Sequence, residues 1–160
     1  MTLRGASHAV GASSIGDAPA RPVLLLTFDV PVLPEAAQLA VDTAVESGQP
    51  LLVVNAVELT IRPMTASWGQ EVFVAEDVDE SLRSPAELAA SLAVRVERIR
   101  LVSPRPIAAV LELVAERSPG LLVLGPDQER MGRRRLARAE RTMRASVPCL
   151  VWTVTDLESV

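Results

Sequence analysis

At 160 residues the chain is long enough for one domain with a proper core, and at 49% hydrophobic but only 2% aromatic that core must be built from Ala, Val and Leu. The formal charge of −4 gives no general attraction to nucleic acid or to an anionic membrane. All 16 basic residues are arginine, and without lysine or tyrosine the chain has no Schiff-base amine, no Walker lysine and no tyrosyl acid.

The first segment, residues 1–20, is dominated by small and polar residues and reads as a flexible tail. It lacks the apolar core of a signal peptide, and no stretch of the sequence approaches the roughly 18 apolar residues of a membrane helix. The only histidine, His8, falls in this tail, which argues against a Ser-His-Asp triad or a histidine-rich metal site. The folded domain is expected over residues 21–155, with a short tail at 156–160.

"RPVLLLTFD" is a nearly continuous apolar run, as expected of a central strand covered on both faces. A helix follows from Pro34, suited to the first turn, to about Gly48, suited to the position just past the end. "PLLVVNAVE" is the second strand. The stretch from Leu59 to Arg83 is irregular and carries an acidic knot at Glu76, Asp77, Asp79 and Glu80. "SPAE" then predicts the start of a second helix, with Ser84 as N-cap, Pro85 in the first turn and Glu87 completing a capping box. That helix should run to about Val94. Val96 to Val102 alternates charged and apolar residues and suits a strand at a sheet edge. A third helix begins near Pro106 and is stopped by Pro119 and Gly120. "LLVLG" is a fourth, central strand, an arginine-rich helix follows, and "PCLVWTV" is the fifth strand. Cys149, the sole cysteine, lies beside a proline at the start of that strand and reads as core; a chain with no internal disulfide suits a reducing, cytoplasmic compartment.

This order predicts an α/β fold, a doubly wound five-stranded parallel sheet with helices on both faces. Ligands of such sheets sit at the carboxyl ends of the strands, where strand order reverses. With the first and fourth strands central, the crevice lies between Asp29 and Gly125.

The element order, the aspartate ending "LLLTFD", the "LLVLG" strand and the closing "VPCLVWTV" together resemble a universal stress protein, over about Arg21 to Val154. The resemblance implies strand order 3-2-1-4-5 and a homodimer formed through the last strand, the Trp152 region. Nucleotide-binding members carry G-x2-G-x9-G-[ST] after the fourth strand, where glycines admit phosphate to backbone amides at a helix N-terminus. Here Gly125 matches the first position, but Gln128 stands at the second. The third position falls on Arg138 and the hydroxyl on Ala139, or on Ala137 and Arg138 in the alternative register. Gly132 does not fit the spacing. The early "DGS" is "DVP", keeping Asp29; the adenine-contacting position at the second strand falls near Ala56; and "SPRP" stands where a G-x-P often precedes the third helix.

Asp29 has two readings: contact with an adenine or ribose, or a cap of its own loop. Seven arginines lie between Arg130 and Arg144, and three readings stay open for them. They form a solvated face with Arg134, Arg138 and Arg141 outward. Alternatively, Arg130 or Arg133 clamps an anion where glycine amides are missing. Or they dock on an acidic surface, the knot at Glu76 to Glu80 included. Scarce aromatics and negative charge argue against nucleic acid. The expected function is a non-catalytic regulatory or protective stress protein, with contacts to protein partners, no membrane association and no required cofactor. The alternative is an ATP-binding switch using Asp29, Gly125 and the loop arginines. The degraded nucleotide site would comprise Asp29, Ala56, Gly125, Arg130, Gly132 and Arg133.

Overall fold

The computed structural model describes residues 19–60 and 75–155. The expected tails fall outside them apart from Pro19 and Ala20, and so does Trp68. The strands are β1 (Val23–Thr27), β2 (Leu51–Glu58), β3 (Val96–Ser103), β4 (Leu121–Leu124) and β5 (Leu150–Thr153). They form one sheet in the order β3-β2-β1-β4-β5, every neighbouring pair parallel. The expected fold class and strand order are both present.

Why β1 is apolar without a break is now explicit. Leu24 and Leu26 face one core with Leu52, Val54 and Leu124, whereas Val23 and Leu25 face the other with Leu51 and Val53. The two-residue period of a strand therefore places alternate apolar residues in two separate cores, one on each face of the sheet. The first core is roofed by α3 (Pro106–Arg117) and α5 (Arg133–Ser146), the second by α1 (Pro34–Ser47) and α2 (Glu76–Ser91). At the edge, β3 keeps the expected charges, with Arg98 bonded to Asp79 of α2 and Arg117 of α3 doubly bonded to Glu97.

Helix α1 has the expected limits, with Pro34 in its first turn and Gly48 in the left-handed conformation (φ 65°) at its end. Helix α2 is a correction. It begins at Glu76, eight residues before the expected Ser84, so the acidic knot opens the helix, with Glu76, Asp77 and Asp79 in its first turn. Glu76, Asp77 and Asp79 there meet the positive end of the helix dipole. Pro85 lies inside the helix, buried, and no capping box forms at Ser84. A buried Pro85 packed with Val78, Leu82, Ala86 and Ala89 has its missing N–H bond offset by apolar burial, and tertiary packing overrides the local stop signal.

The arginine-rich segment is two helices, not one. α4 (Gln128–Met131) makes a single turn and α5 starts after Gly132, whose φ of 90° re-aims the chain. Leu136 and Met143 of α5 pack on the sheet as the spacing requires, and Val147, just beyond its end, packs against the same core.

Candidate functional site

The carboxyl ends of β1 and β4 are where the crevice was expected, and the β4 loop fills it with its own chain. The Gly125 amide donates to the Leu26 carbonyl (3.3 Å) and the Gly125 carbonyl accepts from the Leu33 amide (2.8 Å). Pro126 has no N–H. The Asp127 amide donates to Pro31 (2.8 Å), while its carboxylate oxygen Oδ1 accepts from the amides of Glu129 (3.0 Å) and Arg130 (3.3 Å). The Met131 and Gly132 amides donate to the carbonyls of Asp127 and Gln128. Among the described residues only the Gln128 amide of this loop stays outside the network. Asp127 thus serves as an internal anion at the start of α4, in the manner of an N-cap.

Gly125 has a packing reason to be glycine. A Cβ there would lie 2.1 Å from the Cβ of Ala36, far closer than non-bonded carbon atoms can approach. The glycine lets α1 pass directly against the end of β4. Asp29 is exposed, has φ 55°, a left-handed conformation that Asp tolerates better than most residues, and donates its amide to the Asn55 side chain (2.8 Å). Ala56 is completely buried, two residues before the end of β2, and lies one residue past the last β1–β2 pair at Thr27 and Asn55. Arg130 is ion-paired with Asp77 in the first turn of α2, so one of the loop arginines docks on the acidic knot of its own chain. Arg133 is exposed at the start of α5 and has no ion pair among the described residues.

None of the six residues singled out in the sequence lines the cavity of about 300 Å³ that opens next to Asp29, between the end of β2 and the starts of α3 and α5. Its floor is Phe28, just after β1, with Met131 of α4 and Ala139 of α5. Its walls are Glu58 at the end of β2, the chain from Arg105 to Ala108 at the start of α3, and Arg135 and Arg138 of α5. Arg135 approaches Glu58 at 3.6 Å. No ion pair engages Arg105 or Arg138 among the described residues, and α3 has no side-chain cap at its N-terminus. Arg138 is therefore exposed, as expected, but borders a hollow rather than open solvent. Sequence reasoning passed over Arg105 and Arg135. The available signals were an arginine directly before the first proline of α3, and the three-residue spacing of Arg135 and Arg138 that puts both on one helix face.

Cys149 packs against the core beneath α3 and α5, and burial pushes its thiol above the ordinary range, the opposite of an activated nucleophile. No cluster of His, Cys, Asp and Glu able to hold a metal occurs among the described residues, and none of their helices is long and apolar enough to cross a membrane.

No family model matches the chain, and no curated protein matches it in sequence. Solved structures do match it in shape. The universal stress protein of Archaeoglobus fulgidus in complex with dAMP superposes with a TM-score of 0.56 at 15% identity, over 86% of this chain and 100% of that one. A universal stress protein from Lactobacillus plantarum gives 0.56 at 18% identity, over 85% and 99%. One from Arabidopsis thaliana with AMP bound gives 0.50 at 16% identity, over 86% and 95%. With its sheet order, its two helical layers and these superpositions, the chain has the universal-stress-protein fold.

Proposed function

We propose that the chain is a non-catalytic stress-response domain, regulatory or protective, that does not hold ATP tightly through its β4 loop. The observation that carries this reading is the engagement of the loop amides. A phosphate cradle needs several backbone N–H groups aimed at open space. Between Gly125 and Gly132 every such group but the Gln128 amide bonds to a neighbouring carbonyl or to the Asp127 carboxylate, which would also repel an incoming phosphate. For catalysis the domain supplies no lysine or tyrosine, and its one thiol is held protonated by burial.

The domain acts in the cytoplasm as a homodimer through β5, with protein partners as its targets. An edge strand bearing exposed Leu150 and Trp152 supports the dimer. The dAMP and AMP complexes of similar structures favour a second reading, the ATP-binding switch. It uses Asp29, Gly125 and the loop arginines, of which the Gly125 amide and Arg130 are already bonded within the chain, whereas Arg133 has no ion pair among the described residues. Native mass spectrometry of gently purified protein, followed by calorimetric titration with ATP, tests the choice. The expected result is no co-purified nucleotide and a Kd no tighter than the high-micromolar range; stoichiometric ATP in the purified protein would establish the switch instead.

A further inference from the structure

We infer that the groove between α1 and α2 is a docking site for a basic amphipathic helix of a partner protein. The inference rests on the reading that protein partners are the domain's targets, and it names their chemistry. Both helices lead from the end of one strand to the start of a parallel neighbour, so they run side by side in the same direction. Ala37, Gln38 and Val41 of α1 and Ser84, Pro85 and Leu88 of α2 line a hollow of about 280 Å³ between them. The two sets have the same spacing, that of one helix face, and four residues further on stand Val45 and Leu92. Val45, Leu88 and Leu92 are each roughly half exposed, so the apolar stripe lies open on both helices. From Pro34 to Val45 the groove is about 17 Å long, enough for about three turns of a guest helix.

Charge decides what kind of helix fits. Glu35, Asp42 and Glu46 of α1 and Glu76, Glu80 and Glu87 of α2 are all exposed. On α1 these acids directly follow stripe residues, Asp42 after Val41 and Glu46 after Val45; on α2 they precede them, Glu87 before Leu88. For parallel helices whose stripes face each other, that mirror offset puts both acidic ridges on the solvent side of the groove. Together α1 and α2 carry eight carboxylates against one guanidinium, whereas α3, α4 and α5 carry four against eight. Negative potential is therefore concentrated on one face of a molecule whose net charge is only −4. Glu35, Glu46, Glu76 and Glu87 have no ion pair among the described residues. A helix with one apolar stripe flanked by arginine or lysine satisfies floor and rims together. The rims steer the encounter and the floor supplies most of the affinity, since exposed ion pairs are individually weak. Helix α5 of a second copy is basic but fits poorly, because its apolar Leu136, Ala139 and Met143 are buried at home.

The probe is a synthetic helix of about 15 residues, leucine at i, i+3, i+4 and i+7 spacing and arginine elsewhere, titrated by calorimetry into the full chain. It should bind one to one, and at least about tenfold tighter than a scrambled isomer of the same charge. Leu88→Gln should weaken binding about tenfold, the value of one leucine contact, whereas Val102→Gln, as exposed but on β3, should leave it unchanged. Glu46→Gln combined with Glu87→Gln should weaken it roughly three- to tenfold at low salt and less at high salt. Glu112→Gln combined with Glu116→Gln, the same charge change on α3, should have no effect. Equal binding of the two peptides, or equal losses in Leu88→Gln and Val102→Gln, would reduce the groove to diffuse surface charge and overturn the assignment. Absence of peptide binding would overturn it too. So would a Leu88→Gln variant that sediments, without peptide, at a lower mass than the parent, since a second copy would then be the occupant. Co-purified ATP, which would defeat the proposed function, is read by mass spectrometry and leaves the groove to be judged by the peptides.

Discussion

Gly125 shows how one residue can look functional and be structural. It stands where a phosphate-binding glycine would, yet its lack of a side chain is required by Ala36, whose Cβ would lie 2.1 Å from a Cβ added at Gly125. Gly125→Ala should therefore destabilise by about 2–3 kcal/mol through overpacking, whether or not any ligand is present. Ala36→Gly removes the opposing carbon at a helix-propensity cost near 1 kcal/mol. The double variant should then be more stable than the sum of the two single losses, as chemical denaturation with unchanged m-values would register. Strict additivity would mean that the two carbons do not meet. Gly132 is a glycine of the other kind. Nothing lies within 4 Å of a Cβ added there, and its φ of 90° is the constraint. Two glycines seven residues apart are thus needed for different reasons, and neither reason is phosphate. Asp127 closes the account at this scale, since its carboxylate takes two amides that an anion would otherwise claim.

Helix α2 is held to the crevice by polar contacts at its first two turns. Asp77 pairs with Arg130, Asp79 with Arg98, and the Ser81 hydroxyl accepts from the Val32 amide at 3.1 Å while donating to the Val78 carbonyl. The two ion pairs are roughly half exposed, so each contributes only a few tenths of a kcal/mol. The Ser81 bond matters more because Val32 is buried, 5% exposed, so that its N–H without this partner would be largely shielded from solvent. Ser81→Ala should cost about 1–2 kcal/mol in denaturant unfolding, against less than about 0.5 for Ser91→Ala, whose hydroxyl is exposed at the end of the same helix. Equal effects at the two serines would remove Ser81 as an anchor.

This helix also marks where the sequence stopped being legible. The strands, α1 and α3 follow from apolar runs and from Pro and Gly at helix ends, signals that are local. The start of α2 is not local: Ser84 and Pro85 make a convincing N-terminus, and only packing against α1 and β2 lets the helix run through them from Glu76. The same holds for the site. The loss of the glycine loop is plain from Gln128 and Arg138, whereas the meeting of Arg105 with Arg135 and Arg138 depends on how α3 and α5 cross. Spacing puts Arg135 and Arg138 on one face of α5 but says nothing of what that face meets.

On the scale of the whole molecule the two edges of the sheet are treated differently. Edge strands present unpaired N–H and C=O groups, and chains that stay apart guard them with charge. β3 does so with Glu97, Arg98 and Arg100, two of them ion-paired to the flanking helices. β5 carries no charged residue, and Leu150 and Trp152, on one face of the strand, are 62% and 53% exposed. Large apolar groups beside open main-chain donors and acceptors fit a second copy of the same edge, where antiparallel pairing across a twofold axis would satisfy both at once. Trp152 is then the anchor, because aromatic residues dominate the energetics of such contacts. Trp152→Arg should shift the protein from twice its 17.1 kDa protomer mass to the protomer in sedimentation equilibrium at micromolar concentration. Val102→Arg, which adds a charge to the exposed side of β3, should leave the mass unchanged. Folding is a separate readout: both variants alter exposed positions and should keep the parent's far-ultraviolet dichroism. A monomeric parent protein, or a Trp152→Arg variant that still sediments as a dimer, would rule out the β5 seam and leave that edge for a different chain.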